Sequence, residues 1–182
     1  MWKTYVIYGT ISGLICGGLF FVVNPMDFTA EDMARGQVLG YASMFIAFSS
    51  IFIAVHKLRN ATLPESLPFR KALLPGLVIT LIASLVYVVM WEVYMAYSPG
   101  NFAEQYTEYL VGQKIDEGYS ATEAREMLTD QIEMMETYNS NTPFRMMMSF
   151  LEIFPVGLLF SLVAALLYSF VFRTKPSERN EN

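Results

Sequence analysis

Charged residues are scarce in this chain: of its 182 residues only 16% are Asp, Glu, Lys or Arg, whereas 54% are hydrophobic and 15% are aromatic. A soluble domain of this size needs more charge than that, because its surface faces water on all sides. The composition therefore argues against a soluble globular protein.

Cysteine and histidine are almost missing, since the chain has one of each, Cys16 and His56. A single thiol forms no internal disulfide and no cysteine-based metal site, and His56 has no second histidine beside it. The sequence also has no P-loop, no GxSxG and no HExxH motif. We therefore expect no enzyme activity, no metal and no cofactor.

Apolar residues, by contrast, are gathered into four long runs. Residues 5–23, 38–55, 73–90 and 153–172 contain no Asp, Glu, Lys or Arg, and each run has 18 residues or more. A bilayer core about 30 Å thick needs roughly 20 helical residues to cross it. The sequence thus predicts an all-α integral membrane protein, a four-helix bundle forming a single membrane domain over 1–182. The predicted transmembrane helices are 4–24, 37–57, 72–97 and 144–172.

The basic residues indicate an orientation. Eight of the twelve lie at the start of the chain, in the 56–71 loop or in the C-terminal tail: Lys3, Lys57, Arg59, Arg70, Lys71, Arg173, Lys175 and Arg179. Basic residues that flank membrane spans favour the cytoplasmic side. We expect a multi-pass protein of the bacterial cytoplasmic (inner) membrane with both termini in the cytoplasm.

Residues 99–141 form the one sizeable polar segment. "SPGNF" predicts a helix start, and "SATE" at 120–123 predicts a second start with a capping box. Two amphipathic helices are expected, packed as an extracytoplasmic hairpin between the third and fourth spans. Thr142, which precedes a proline, is expected to cap the fourth span. The hairpin is interpreted either as a solvated face or as a partner-docking surface with the methionines Met127, Met134 and Met135.

Small residues recur at intervals of four in the first span, at Gly9, Gly13 and Gly17. This spacing places them on one helix face, and small residues let transmembrane helices approach closely. We expect these glycines to pack against another helix. In the fourth span, Pro155 is expected to bend the helix and Gly157 to let a neighbour approach the bend.

Two carboxylates fall inside the predicted spans, Glu92 and Glu152. Each lies 21 residues from a basic residue at the inner boundary, Lys71 and Arg173 respectively, which predicts that both lie at one height near the outer edge. Tyr41 and Arg145 are expected close by. Charge in a membrane span is costly unless it is paired or neutralised. Three interpretations stay open: structural polar contacts, a proton or ion site, and contact with a ligand or partner.

Four stretches of the spans resemble a family of small bacterial membrane proteins, domain of unknown function 4199, found mainly in Bacteroidota: "YGTISGL", "GYASMFIAFSSIFIAV", "GLVITLIASLVYVVMWEVY" and "FLEIFPVGLLFSLVAALL". The resemblance implies a cytoplasmic-membrane location with the acidic hairpin in the periplasm, and it supplies no activity.

The leading functional hypothesis is a non-enzymatic membrane subunit or scaffold. Its partners would be the lipid bilayer and either a second copy or a periplasmic or membrane protein, with no nucleic acid. The alternative is a small transport or proton/ion-coupled protein that uses Glu92 and Glu152.

Overall fold

The computed structural model describes residues 1–22, 30–62, 67–97 and 102–172. Every regular element in these ranges is helical, which confirms the prediction of an all-α protein. The helices are α1 (Trp2–Val22), α2 (Ala30–Thr62), α3 (Phe69–Tyr97), α4 (Phe102–Asp116), α5 (Ala121–Met127), α6 (Thr129–Ser140) and α7 (Thr142–Leu166), and α7 ends in a π-helical turn, Leu167–Val171.

Four segments are long and apolar enough to cross a membrane, as predicted: Trp2–Val22, Arg35–Thr62, Phe69–Tyr97 and Thr142–Val171. The second segment continues five residues beyond its predicted end at 57, and the third begins three residues before its predicted start at 72. Both extensions carry basic residues, whose long side chains can reach an interface while their stems stay in apolar surroundings.

The third helix is the centre of the bundle. It packs extensively against α1 on one side and α7 on the other, and α2 lies against all three of the other spans. The core contains completely buried side chains from three helices, among them Phe48, Ile51, Ile79 and Ile153. We call the end of the bundle that carries α4–α6 the distal end, and the opposite end the proximal end.

The contact between α1 and α3 follows the glycine stripe. A Cβ atom added to any of the three glycines would lie 2.6–2.7 Å from a side-chain Cβ of α3. The glycines are Gly9, Gly13 and Gly17, and the facing residues are Ile82, Val86 and Met90 in the same order. The sequence separation between each glycine and its facing residue is constant, so the two helices run parallel. Backbone atoms of α1 therefore meet side chains of α3.

The polar segment forms three helices instead of the two predicted. The capping box at Ser120 is confirmed: its hydroxyl accepts from the amide of Glu123, whose carboxylate accepts from the Ser120 amide. Gly118 precedes it with φ +102°, a conformation that favours glycine. The second predicted helix divides at Leu128 into α5 and α6. The start predicted at "SPGNF" lies largely in 98–101, outside the described residues, as do Arg173, Lys175 and Arg179 of the tail.

A small apolar cluster holds α4 against α5 and α6. Val111, Ala124 and Leu128 are its buried members. An exposed ion pair between Arg125 and Glu108, with N–O distance 2.6 Å, joins α5 to α4 beside the cluster. The unit α4–α6 therefore has an apolar core of its own.

The cap of α7 differs from the prediction. Asn141, not Thr142, is the N-cap residue, and its Oδ1 accepts a 3.1 Å hydrogen bond from the amide of Phe144. Thr142 already lies inside the helix, and Pro143 follows it in the first turn, where its missing amide proton costs no hydrogen bond. The prediction was one residue late because both Asn and Thr are good N-cap residues.

Candidate functional site: polar groups between the spans

An ion pair joins α3 to α7 near the distal end. Arg145 on α7 donates from Nε to Oε1 of Glu92 at 2.9 Å and from Nη2 to Oε2 at 2.7 Å. The guanidinium and the carboxylate thus meet in the two-bond geometry that makes such pairs strong. Both side chains are largely shielded, with 11% and 20% exposure respectively. Glu92 is therefore compensated by a fixed positive charge.

The same guanidinium also binds the end of α6. Arg145 Nη1 donates to the carbonyl oxygens of Tyr138 at 3.2 Å and Asn139 at 3.1 Å. The last carbonyls of a helix lack intrahelical partners and carry partial negative charge, so a cation is favoured there. One side chain consequently links α3, α6 and α7. Sequence reasoning placed Arg145 near the carboxylates but missed this second role, although a basic residue shortly after a helix end is a known signal for it.

Glu152 has a different partner. The hydroxyl of Tyr87 on α3 donates to its Oε2 at 2.9 Å, and Tyr87 itself is 5% exposed. Among the described residues, no Lys, Arg or His side chain pairs with Glu152. Tyr87 was not predicted, because a tyrosine in an apolar run carries no mark of its own.

The two carboxylates do not lie at one height, so that prediction is wrong. A Cβ on Gly76 of α3 would meet Ser161 of α7, and sixteen residues further along α3 Glu92 meets Arg145, sixteen residues earlier in α7. In this antiparallel register Glu152 is level with Leu85. Glu152 therefore lies seven residues, about 10 Å, closer to the proximal end than Glu92.

The error came from the reference points. In the observed register Lys71 of α3 is level with Leu166 of α7. The prediction instead matched Lys71 with Arg173, which is seven residues later in the sequence than Leu166, and it therefore placed Glu152 seven residues too close to the distal end. Basic residues at two helix ends mark the same boundary only when both helices stop there, and α7 continues past the start of α3 as the π-helical turn.

Glu152 lies among polar groups from several helices. Cys16 of α1 is close enough to Glu152 to interact with it electrostatically, and it lies near Ser43 of α2. Tyr138 of α6 also interacts with Glu152. The pKa of the Tyr138 hydroxyl is raised, because the effect of burial outweighs the lowering by a hydrogen bond with Ser149. Polar side chains of α1, α3 and α6 thus lie near the one carboxyl group of Glu152 on α7.

The remaining predicted residues lie apart from this group. Tyr41 is 56% exposed on α2, and none of its described contacts joins it to Glu92, Glu152 or Arg145. Pro155 is accommodated inside α7, which continues on both sides of it. A Cβ on Gly157 would lie 2.5 Å from Cγ2 of Thr80 and 2.7 Å from Cζ of Phe48, so α3 and α2 approach α7 closely there.

Chemically, the site offers one salt bridge and one carboxyl group without a counter-ion. The described residues contain no cluster of three or more His, Cys, Asp or Glu side chains that would hold a metal ion. Hydrogen bonding, proton binding and the binding of a cationic group are the chemistry that Glu152 and its hydroxyl neighbours can support.

Comparison with known proteins identifies the family. No curated protein and no solved structure matches the chain. The model of a family described as protein of unknown function, DUF4199, matches residues 7–169, which include all four membrane-spanning segments apart from their outermost residues. Because this match covers most of the chain, the protein belongs to the DUF4199 family.

Proposed function

We propose that this protein is a non-enzymatic membrane subunit or scaffold whose α4–α6 unit contacts a partner protein or a second copy. The observation that carries the proposal is the outward surface of α5 and α6. Met127 is the last residue of α5 and Met134 lies on α6, and they are 51% and 39% exposed. Exposed methionines are typical of adaptable contact surfaces.

Unpaired acidic residues lie next to these methionines. Six carboxylates of α4–α6 have no ion-pair partner among the described residues: Asp116, Glu123, Glu126, Asp130, Glu133 and Glu136. Asp130, Glu133 and Glu136 follow helical spacing and form an exposed strip along α6, and the exposed Glu126 precedes them near the end of α5. A basic surface on the partner would complement this strip, and such complementarity favours specific, rapid association.

The contact surface is fixed relative to the membrane spans. Arg145 binds both the end of α6 and Glu92 on α3, so a load on α4–α6 is transmitted to the bundle. A scaffold needs this property, because a freely hinged unit would not orient its partner.

The proposed arrangement has α4–α6 in the periplasm and both termini in the cytoplasm. The support is the basic residues at the proximal end, which include Lys57, Arg59, Arg70 and Lys71. Reporter fusions at each terminus and within α5–α6 would test it. A periplasmic signal from a terminal fusion would contradict this orientation.

Site-specific photocrosslinking tests the contact. A photoreactive residue at Met127 or Met134 should capture the same protein, or a second copy, in native membranes, whereas Gln105 on α4 serves as an exposed control that should not. Reversing the charge with Asp130→Lys and Glu133→Lys should remove the product. Crosslinks of equal yield from all three positions, or products indifferent to charge reversal, would argue against a contact surface here.

A second candidate function is a small transport or proton/ion-coupled protein. The observation that favours it is Glu152, whose carboxyl has no described counter-ion, whereas Glu92 is already compensated by Arg145. The candidate therefore depends on Glu152 more than on both carboxylates together. Proton or cation flux into liposomes that disappears with Glu152→Gln and survives Glu104→Gln would support it. Absence of flux from the wild-type protein would remove it.

A further inference from the structure

A polar stripe on α7 leads from the distal end to Glu152. Thr142, Arg145, Ser149 and Glu152 are separated by three or four residues, so they lie on one helix face. Thr142 is exposed at the surface, and Ser149 is buried with its hydroxyl bonded to the carbonyl of Arg145. Side chains of this kind allow water and protons to approach a group that lies below the membrane surface.

Toward the proximal end the polar stripe stops. Completely buried apolar residues follow, among them Phe48, Ile51 and Ile79, and Gly157 lies in close contact with Thr80. The hydroxyls at this level are engaged with one another or with the backbone: Thr80 bonds Ser161 at 3.2 Å, and Ser161 donates to the carbonyl of Gly157. Polar side chains therefore connect Glu152 to the distal end, and the interior between it and the proximal end is apolar and closely packed.

The residue Glu152 is exposed at the surface of the bundle, although it lies within a membrane-spanning segment. A carboxylate that faces hydrocarbon without a counter-ion costs several kcal/mol, and binding a proton removes that cost. A neutral carboxyl group fits the observed contact, since its carbonyl oxygen accepts from the Tyr87 hydroxyl. Its other oxygen, Oε1, has no hydrogen-bond partner among the described residues.

The titratable groups around Glu152 supply no positive charge. They are Cys16 on α1, Tyr87 on α3 and Tyr138 on α6, which are neutral at physiological pH. On α2, Ser43, which does not titrate, lies near Cys16. Arg145 on α7 is the nearest cation on the stripe, and its charge is already matched by Glu92.

We propose that Glu152 is a proton-binding site in the membrane that exchanges its proton with water at the distal end and is closed toward the proximal end. The proposal uses the carboxyl group of the second candidate function but requires no transport, and a site closed on one side suits a sensor of distal pH better than a channel. It does not depend on the contact surface of α4–α6.

The test uses dicyclohexylcarbodiimide, which enters membranes and attacks protonated carboxyl groups. The carboxyl proton moves to one nitrogen of the reagent and the oxygen bonds its central carbon; an acyl shift to nitrogen then gives a stable adduct with no leaving group. Membrane vesicles of both orientations are labelled at several bath pH values, with orientation read from protease access to α4–α6, and the adducts are located by peptide mass spectrometry.

We expect labelling at Glu152 and none at Glu92, which is the internal control because it is ion-paired. When the bath faces the distal end, labelling should fall as pH rises, about tenfold for each pH unit once the carboxyl is mostly ionised. When the bath faces the proximal end, bath pH should have no effect. Glu152→Gln should abolish the adduct, and Tyr87→Phe should preserve it.

Three results would overturn the proposal. They are equal labelling of Glu92 and Glu152, labelling that follows proximal pH, and no adduct at Glu152 at any pH, the result expected if the group is ionised and holds a cation. Because labelling is measured without flux, a labelled Glu152 in a protein that transports nothing would refute the second candidate function and leave the proton site intact.

Discussion

Replacing Arg145 by methionine should destabilise the protein strongly. Arg145→Met keeps an unbranched apolar stem but removes both hydrogen bonds to Glu92 and both bonds to the end of α6. Removing one partner of a buried ion pair typically costs about 3–5 kcal/mol, because the other charge is left without compensation. Glu92 is 20% exposed, so some water reaches it and the lower value applies. We expect a loss of about 3 kcal/mol.

The chain contains its own reporter for this measurement. Cys16 is the one cysteine of the sequence and is 3% exposed, so a thiol-reactive fluorophore reacts with it only when the bundle opens. For a chain of this size, a loss of about 3 kcal/mol corresponds to a fall in Tm of roughly 6–12 °C. Thermal unfolding in detergent, followed through this fluorescence, gives the value directly.

Two further variants make the prediction specific. Arg145→Met combined with Glu92→Gln should be more stable than Arg145→Met alone, since no uncompensated charge remains. Arg125→Met breaks the exposed pair with Glu108 and should cost less than about 1 kcal/mol. A Tm for Arg145→Met equal to that of Arg125→Met, or a double variant less stable than the single one, would refute the reasoning about the ion pair.

Three other predictions follow from local geometry. Gly13→Leu should lower Tm, because even the Cβ of the new side chain would lie 2.6 Å from an α3 side chain. Gly40→Leu should leave Tm unchanged, since nothing lies within 4 Å of a Cβ there. Equal shifts in Tm would contradict the α1–α3 contact. Asn141→Ala should lower the free energy of unfolding by about 1 kcal/mol through loss of the α7 cap. Thr142→Ala, measured by the same unfolding assay, should lower it less. The reverse order would identify Thr142 as the cap. The pKa of Glu123 is lowered by its hydrogen bonds from Ser120, so its contribution to α5 is present above the ordinary glutamate range and is lost as pH falls through the lowered value. The protection of α5 amides against hydrogen exchange, measured relative to the intrinsic exchange rate at each pH, should fall on acidification in the wild type but not in Glu123→Gln. An identical response in both would refute the linkage.

The membrane spans could be predicted from the sequence because the requirement is simple. Eighteen or more residues without charge make a helix that crosses a bilayer, and all four such runs are long helices in the structure. The capping box at Ser120 could also be predicted, since its two hydrogen bonds are formed within four consecutive residues.

Contacts between helices could be predicted only in part. Regular spacing shows that Gly9, Gly13 and Gly17 share a face, but it does not show which helix lies opposite. A Cβ on Gly40, which follows Gly36 at the same interval of four residues, would have nothing within 4 Å. The partner of Glu152 could not be predicted either, because the offset between antiparallel helices depends on packing along their whole length and not on their terminal charges.

The most direct test of the difference between the two membrane carboxyls is the infrared spectrum of the purified protein in lipid at neutral pH. A protonated carboxyl group has a C=O stretching band distinct from the bands of an ionised carboxylate. We predict that this band is present in the wild type, is lost in Glu152→Gln and persists in Glu92→Gln. A band that survives Glu152→Gln, or a wild-type spectrum without it, would contradict the assignment of Glu152 as the protonated group.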